Sequence, residues 1–326
     1  MKEPLLSVSD LNVSFRTQGS LLHAVRGIQY QVQKEETIGI VGESGSGKSA
    51  AAKALVQLLP SHNAIVKGTI SYKGQNLLDF SEREMQRIRG KEIGMIFQDP
   101  MTSLNPTMKI GDQIMEGIRR HFPESSRRGA YKQTLDMLEK VGIPSPEERF
   151  NAYPHTLSGG LRQRTMIALA LVCNPELLVA DEVTTALDVT IQAQILDLLQ
   201  QIKTEMKMSV ILITHDMSVV AHFCDRVLVM YAGKIVEDAP VDILFARPQH
   251  PYTRRLLQAI PRLDIPKRNR LLSIEGMPPN LSTSIPGCGF CARCDSAMQI
   301  CATESPPLIE VAKDHYAACY LYDQRR

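Results

Sequence analysis

Residues 42–49 read Gly42-Glu43-Ser44-Gly45-Ser46-Gly47-Lys48-Ser49 and match the pattern G-x-x-x-x-G-K-[ST] at every position. They lie between an apolar run at 37–42 and a helical pattern at 50–59. Glycines let the backbone wrap around a phosphate with its N–H groups pointing inward, and the helix start adds partial positive charge. The pattern predicts a phosphate-binding loop, in which Lys48 reaches the β- and γ-phosphates of a nucleotide and Ser49 is a ligand of Mg²⁺.

Further strand signals lie on both sides of this loop. Short apolar runs rich in β-branched residues recur at 177–180 and 209–214, and each is followed by a polar loop and a longer helical pattern. Such runs are typical of buried parallel strands in an α/β core. The looser alternation at 5–15 and 24–32 predicts antiparallel strands at an edge. The sequence therefore predicts an α/β fold of the P-loop NTPase class.

The strand signal is absent between about residues 100 and 157. Two stretches there, 110–121 and 130–141, have helical patterns. We therefore expect a helical subdomain inserted into the α/β core at about 100–160.

Prolines recur after Pro240, which argues against long helices in the remaining chain. The sequence thus predicts a nucleotide-binding domain at 1–240. A small, irregular, cysteine-rich extension is predicted at 241–326.

Two acids end the apolar run at residues 177–180. Burying charge is costly, so the acids at this strand end indicate a function. Asp181 can hold Mg²⁺ directly or through water, and Glu182 can orient and deprotonate an attacking water.

Composition excludes several other classes of protein. The 326 residues include 37 Lys and Arg against 35 Asp and Glu, so the formal net charge is +2 and gives no global attraction to nucleic acid. No apolar run reaches the roughly 18 residues that a membrane-spanning helix needs. The first ten residues are too polar for a signal peptide, so we expect the chain to remain in the cytosol unless a partner holds it at a membrane.

Five of the seven cysteines lie within the last forty residues: Cys288, Cys291, Cys294, Cys301 and Cys319. In a cytosolic chain such a cluster favours a metal or iron–sulfur site over disulfides. The C-x₂-C spacings around Cys291 also suit zinc, for which His315 is a candidate nitrogen ligand. The residues leave three alternatives open, which are an iron–sulfur cluster, zinc and unligated thiols.

Several motifs together resemble the nucleotide-binding subunits of ABC transporters. Residues 157–164 read LSGGLRQR and are similar to the signature motif of that family, and residues 185–188 read TALD and match its D-loop. Gln98 follows a strand-like run and matches the Q-loop glutamine, while His215 matches the switch histidine. Phe15 stands where the family places an aromatic side chain that stacks on adenine.

The resemblance implies a composite site in which two nucleotide-binding domains close head to tail around two ATP molecules. The signature residues would then contact the ATP of the partner domain; they are Ser158, Gly159, Gly160 and Gln163. Gln98 would be a further Mg²⁺ ligand and link the site to the helical subdomain. His215 would hold the γ-phosphate and orient Glu182, and Asp188 would belong to the D-loop.

Two more stretches, 98–106 and 250–257, resemble the oligopeptide/dipeptide importer branch, which includes nickel importers. That branch implies two integral-membrane permease subunits, an extracytoplasmic solute-binding protein and a second homologous ATPase subunit. A heterodimer is expected, with a homodimer as the alternative. Nucleic acid is not an expected partner, and the expected location is peripheral, at the cytoplasmic face of the cell membrane.

The branch also implies a [4Fe–4S] cluster, held by Cys288, Cys294, Cys301 and Cys319.

A second function remains open from the residues alone, which is a soluble ABC ATPase acting on nucleic acid or ribosomes. The balanced charge and the single nucleotide-binding domain argue against it.

Overall fold

The computed structural model describes residues 3–17, 19–183, 188–259 and 274–323, with residues 100 and 101 described by their backbone. The described strands are β1 (Leu6–Thr17), β2 (Ser20–Val32), β3 (Thr37–Val41), β4 (Ala64–Tyr72), β5 (Gln75–Asn76), β6 (Ile93–Ile96), β7 (Leu177–Asp181), β8 (Ser209–Thr214), β9 (Arg226–Tyr231), β10 (Lys234–Pro240), β11 (Ile309–Ala312) and β12 (His315–Ala317).

The described α-helices are α1 (Lys48–Leu55), α2 (Glu82–Ile88), α3 (Pro100–Ser103), α4 (Ile110–His121), α5 (Arg127–Lys140), α6 (Pro146–Phe150), α7 (Gly159–Leu171), α8 (Val189–Met206), α9 (Met217–Phe223), α10 (Val241–Ala246), α11 (Pro251–Gln258) and α12 (Gln299–Thr303). None of the helices in the described ranges combines the length and apolar character that crossing a bilayer demands.

The contacts divide the chain into two compact units. The first comprises Met1–Gln33, Thr37–Leu78 and Ile213–Arg326, and the second comprises Lys34–Glu36 and Asp79–Leu212. The first unit therefore contains both the first and the last of the described residues. The boundary predicted near residue 240 stays a prediction.

The first unit contains two layers of sheet. One sheet has the order β2-β1-β4-β5 with antiparallel pairing, so the antiparallel pair predicted near the N-terminus is confirmed. In the other layer the order is β11-β12-β10-β9-β3, and β3 pairs with β9 in parallel. Every residue of β3 is buried, as expected for a strand covered on both faces. This burial fixes the position at which the loop of residues 42–47 leaves the sheet.

The second unit combines parallel strands with a helical region. β6 pairs in parallel with β7, and Met95 lies opposite Val179. α4 has the bounds that the hydrophobic period predicts, and its buried face carries Ile110, Ile114 and Ile118 at intervals of four residues. Together with the parallel pairing in the first unit, this arrangement confirms the predicted α/β fold.

The C-terminal region is more ordered than its proline content predicts. Its described helices are short, as expected, but β11 and β12 form an antiparallel hairpin that continues the sheet from β10. Glu237 of β10 and His315 of β12 are both fully buried, and their side chains are 2.8 Å apart. The free edge of β10 can pair with a further strand, and this pairing favours the formation of the hairpin. The local composition of residues 309–317 does not predict it.

Candidate functional site

The loop of residues 42–47 connects β3 to α1 and surrounds the ammonium group of Lys48. Lys48 is 5% exposed. Its Nζ donates hydrogen bonds to the backbone oxygens of Gly42, at 2.8 Å, and Glu43, at 2.9 Å. The ammonium is therefore held inside the loop by carbonyl groups, and a phosphate oxygen is a stronger, charged acceptor for the same donor.

Glu43 is bound to two residues of the C-terminal region. Its backbone N–H donates to the Tyr252 hydroxyl at 2.9 Å, and its carboxylate accepts two hydrogen bonds from Arg293, at 2.8 and 3.0 Å. Sequence reasoning missed both partners, because they lie more than 200 positions away along the chain. The stretch at 250–257 resembles the importer branch, but no local pattern in it predicts a contact with Glu43.

His250 and Tyr252 link this contact to the start of α11. The His250 Nδ1 accepts the Tyr252 N–H at 3.0 Å, which caps the helix. Burial, with a smaller contribution from the charge of Arg254, lowers the pKa of His250 to about 3. The imidazole therefore stays neutral at physiological pH and keeps the lone pair that this cap needs.

Gly47 adopts φ +100°, and a Cβ atom there would lie 2.2 Å from the Ala24 carbonyl oxygen. We expect Gly47→Ala to lower the free energy of unfolding by about 2–4 kcal/mol, because left-handed strain and a backbone clash add. Gly45→Ala is the matched control, since Gly45 also has positive φ but open space around its Cβ position. Urea unfolding should show a cost of only about 1 kcal/mol for the control. Equal costs for the two variants would contradict the clash.

Three other predicted residues of the nucleotide site belong to the same unit. Phe15 lies in β1, opposite Leu22 of β2 and Ala64 of β4, and is half-buried. His215 is exposed and directly follows β8. Ser49 is the second residue of α1.

The predicted catalytic carboxylate lies in the second unit, where it contacts the predicted Q-loop glutamine. Asp181 ends β7 and is 2% exposed, and Glu182 follows it with φ +49°. The Nε2 of Gln98 donates to the Glu182 Oε2 at 2.6 Å. The sequence predicts separate roles for these side chains and does not predict this bond. Because Gln98 is exposed, it can rotate away when a metal or a nucleotide offers other partners.

The signature motif of this unit presents Ser158 and Gly159 to solvent at the start of α7. The Ser158 side chain caps the helix by accepting the Leu161 N–H at 3.4 Å. A Cβ at Gly159 would meet nothing within 4 Å, whereas one at Gly160 would lie 3.3 Å from Ile191 of α8. Gln163 is only 2% exposed, so its side chain lies inside the unit, apart from these exposed residues.

Asp188 caps α8 by accepting the Ile191 N–H at 2.9 Å. The other three D-loop residues of the sequence prediction, 185–187, lie outside the described residues.

Four thiols of the C-terminal region influence one another. Burial, with smaller contributions from the nearby thiols of Cys294, Cys301 and Cys319, raises the pKa of Cys288 to about 11. Burial likewise raises the pKa values of Cys294 and Cys319. Backbone N–H groups point at three of these sulfur atoms and partly oppose the shift.

Within the described ranges, no three His, Cys, Asp or Glu side chains are grouped in a way that could hold a metal ion. His315, considered above as a zinc ligand, has its Nε2 directed at the buried Glu237. The zinc alternative therefore gains no support, and the iron–sulfur cluster stays a prediction.

Two family models match the chain. The model described as "ABC transporter" matches residues 25–185, and the model described as "Oligopeptide/dipeptide transporter, C-terminal region" matches residues 236–301.

Curated relatives match nearly the whole chain. The dipeptide transport ATP-binding protein DppD of Bacillus subtilis (strain 168) is 50% identical over 99% of this chain and 96% of its own length. The oligopeptide transport ATP-binding protein OppD of Escherichia coli (strain K12) is 47% identical over 98% of this chain and 93% of its own length.

Solved structures share the fold. The dimeric structure of MJ0796, a bacterial ABC transporter cassette, is 25% identical, with a TM-score of 0.65 over 72% of this chain and 98% of that chain. The cbiO1 structure from Clostridium perfringens, part of the ABC transporter complex cbiONQ, is 28% identical, with a TM-score of 0.63 over 76% of this chain and 92% of that chain.

Proposed function

Because this chain belongs to the ABC transporter family, in its oligopeptide/dipeptide branch, we propose that it is the ATP-hydrolysing subunit that energises a peptide importer. The proposal rests on the 50% and 47% sequence identity to dipeptide and oligopeptide transport ATP-binding proteins over nearly the whole chain. It also favours peptide import over the alternative of a soluble ATPase acting on nucleic acid or ribosomes. The two matched segments support a nucleotide-binding domain at 1–240 and a transporter-specific region at 241–326.

The phosphate loop supports ATP binding at residues 42–49. Lys48, already held among backbone carbonyls, would exchange them for β- and γ-phosphate oxygens. Phe15 would stack on the adenine, and His215 would hold the γ-phosphate. The charge of the triphosphate is thus met by fixed donors, which is the main way in which enzymes catalyse phosphoryl transfer.

Glu182 is the proposed general base. Its carboxylate would orient a water molecule and accept its proton as the water attacks the γ-phosphate. The bond from Gln98 occupies one carboxylate oxygen of Glu182 and lowers the basicity of that oxygen, so we propose that the bond opens before the base acts. This contact is proposed as a resting arrangement in which the base is held by its neighbour.

Mg²⁺ is the metal that this chemistry requires, and the residues present suit it. The proposed ligands are Ser49, Gln98 and Asp181, which supply hydroxyl, amide and carboxylate oxygens, the hard donors that Mg²⁺ prefers. Asp181 is nearly fully buried, and away from bulk water the attraction between its carboxylate and a cation is strong. When bound, Mg²⁺ would neutralise charge on the phosphates.

We propose that each ATP is completed by the signature motif of a second ATPase subunit. Ser158 and Gly159 are exposed at a helix N-terminus, where N–H groups can bind an anion. Val189, at the start of α8 and 83% exposed, adds an apolar residue on the same unit. The partner would be a homologous subunit, with a homodimer as the alternative. The similar cassette MJ0796 is itself described as dimeric.

Import also requires partners that cross the membrane. The proposed partners are two integral-membrane permease subunits and an extracytoplasmic solute-binding protein, and the proposed location is peripheral, at the cytoplasmic membrane face. The relatives' identity as transport ATP-binding proteins supports this arrangement.

We further propose a [4Fe–4S] cluster held by Cys288, Cys294, Cys301 and Cys319. Their mutual electrostatic influence supports this set, and so do the backbone N–H groups near three of the sulfur atoms, because such hydrogen bonds stabilise ligating thiolates. A cluster is larger than one ion, so its thiolates stand farther apart than the ligands of a single metal. The cluster would stabilise a region that has few apolar residues of its own.

Co-purification from native membranes tests the proposed function. We expect a tagged chain to bring down permease subunits and a second ATPase, and the complex to hydrolyse ATP. Iron and acid-labile sulfide, assayed in the same sample, are expected in about equal amounts, near four atoms of each per chain. Recovery with RNA or DNA and without a permease would overturn the importer proposal. Zinc, or no metal, would overturn the cluster alone.

A further inference from the structure

Arg293 and Glu43 form a bidentate ion pair between the C-terminal region and the phosphate loop. The Nη1 of Arg293 lies 2.8 Å from the Glu43 Oε2, and its Nη2 lies 3.0 Å from the Glu43 Oε1. The Arg293 side chain is 5% exposed and that of Glu43 is 25% exposed. Because the pair is bidentate and mostly shielded from water, it fixes the distance and the orientation of the two groups.

The remaining donors of Arg293 are bound as well. Its Nε donates to the Glu275 carbonyl at 2.9 Å, Nη2 to the Ile274 carbonyl at 3.0 Å, and Nη1 to the Tyr231 hydroxyl at 3.0 Å. The guanidinium carbon also lies 5.9 Å from the centre of the Phe290 ring. All five N–H groups therefore have an acceptor, and the guanidinium cannot turn without losing several bonds.

Glu43 transmits this position to Lys48. Its carboxylate meets Arg293, its N–H donates to Tyr252, and its carbonyl oxygen accepts the Lys48 ammonium at 2.9 Å. A shift of Glu43 therefore displaces a carbonyl group that holds Lys48. The charge of Glu43 matters too, since an uncompensated carboxylate in the phosphate loop repels the triphosphate.

We propose that Arg293 is a positioning residue for ATP, and that through it the cysteine-rich segment, residues 288–301, governs nucleotide affinity. Arg293 neutralises Glu43 and holds the first half of the phosphate loop in its binding conformation. It contacts no reacting atom, so it acts on the binding of ATP and not on the chemical step. The inference rests on the proposed function, because it requires ATP at this loop.

A double-mutant cycle on the full-length chain in its membrane complex tests the proposal. We expect Arg293→Gln to raise the Kd for Mg-ATP about tenfold while kcat at saturating ATP changes less than about twofold. Adding Glu43→Gln removes the unpaired carboxylate, so the double variant should recover most of the lost affinity. Arg293→Lys keeps the positive charge but cannot make the bidentate pair with Glu43, so we expect an intermediate Kd for Mg-ATP.

Arg255→Gln is the matched control. Arg255 pairs with Asp295 of the same cysteine-rich segment and does not contact the phosphate loop among the bonds described, so its loss should leave the Kd unchanged. Unchanged affinity in Arg293→Gln, or purely additive effects in the double variant, would overturn the inference. If Arg293→Gln does not fold, Arg293→Lys carries the same comparison. Failure of the wild-type complex to bind ATP would overturn the proposed function instead.

Discussion

Replacing Glu182 by Gln is expected to lower ATP turnover by about 10²–10⁴ while ATP binding persists, because an amide cannot accept the proton of the attacking water. Glu182 directly follows Asp181 at the end of β7, and its carboxylate is bound by Gln98 at 2.6 Å. Gln has nearly the same shape, so the fold and the binding of ATP should change little. Steady-state hydrolysis by the purified complex, compared with equilibrium ATP binding, separates the two effects.

Glu176→Gln is the control for this prediction. Glu176 is exposed and lies just before the first residue of β7, whereas Glu182 follows its last residue. The Glu176→Gln substitution therefore removes one carboxylate of the same type at the opposite end of the strand. We expect normal turnover for this variant. Normal turnover in Glu182→Gln would instead remove Glu182 from the role of general base.

Gly159→Asp is expected to lower turnover by about 10²-fold or more, in the range seen when one oxyanion-binding donor is lost. A Cβ at Gly159 meets nothing within 4 Å, so the fold of this chain accommodates the side chain. A carboxylate at the exposed start of α7 would, however, repel the γ-phosphate that a partner subunit presents there in the proposed two-subunit site. ATP affinity of the isolated chain should therefore remain unchanged.

Gly117→Asp is the control, since Gly117 is also in a helix of the second unit and its Cβ would touch only Val172, at 3.9 Å. We expect this variant to retain turnover. Lys48→Ala is expected to differ from Gly159→Asp, because it should abolish ATP binding by the isolated chain. Should Gly159→Asp abolish ATP binding by the isolated chain, the signature motif would belong to the chain's own site, and the two-subunit proposal would fail.

The parts of the fold that were predicted correctly depend on neighbours along the chain. The loop at 42–49 carries its glycines, its lysine and its flanking strand and helix within about twenty residues, and α4 repeats apolar residues at the helical period. The hairpin of β11 and β12 was missed because short edge strands depend on a partner strand. Composition around the prolines predicted only that long helices would be absent.

The sequence alone predicts the chemistry proposed for this protein, because phosphate binding, proton abstraction and the signature motif each need particular residues at fixed short spacings. Only the tertiary structure shows that Gln98 holds Glu182 and that Arg293 and Tyr252 hold Glu43. The second set joins residues more than 200 positions apart. Such contacts form only after the sheets and helices have packed, and no local preference of either partner encodes them.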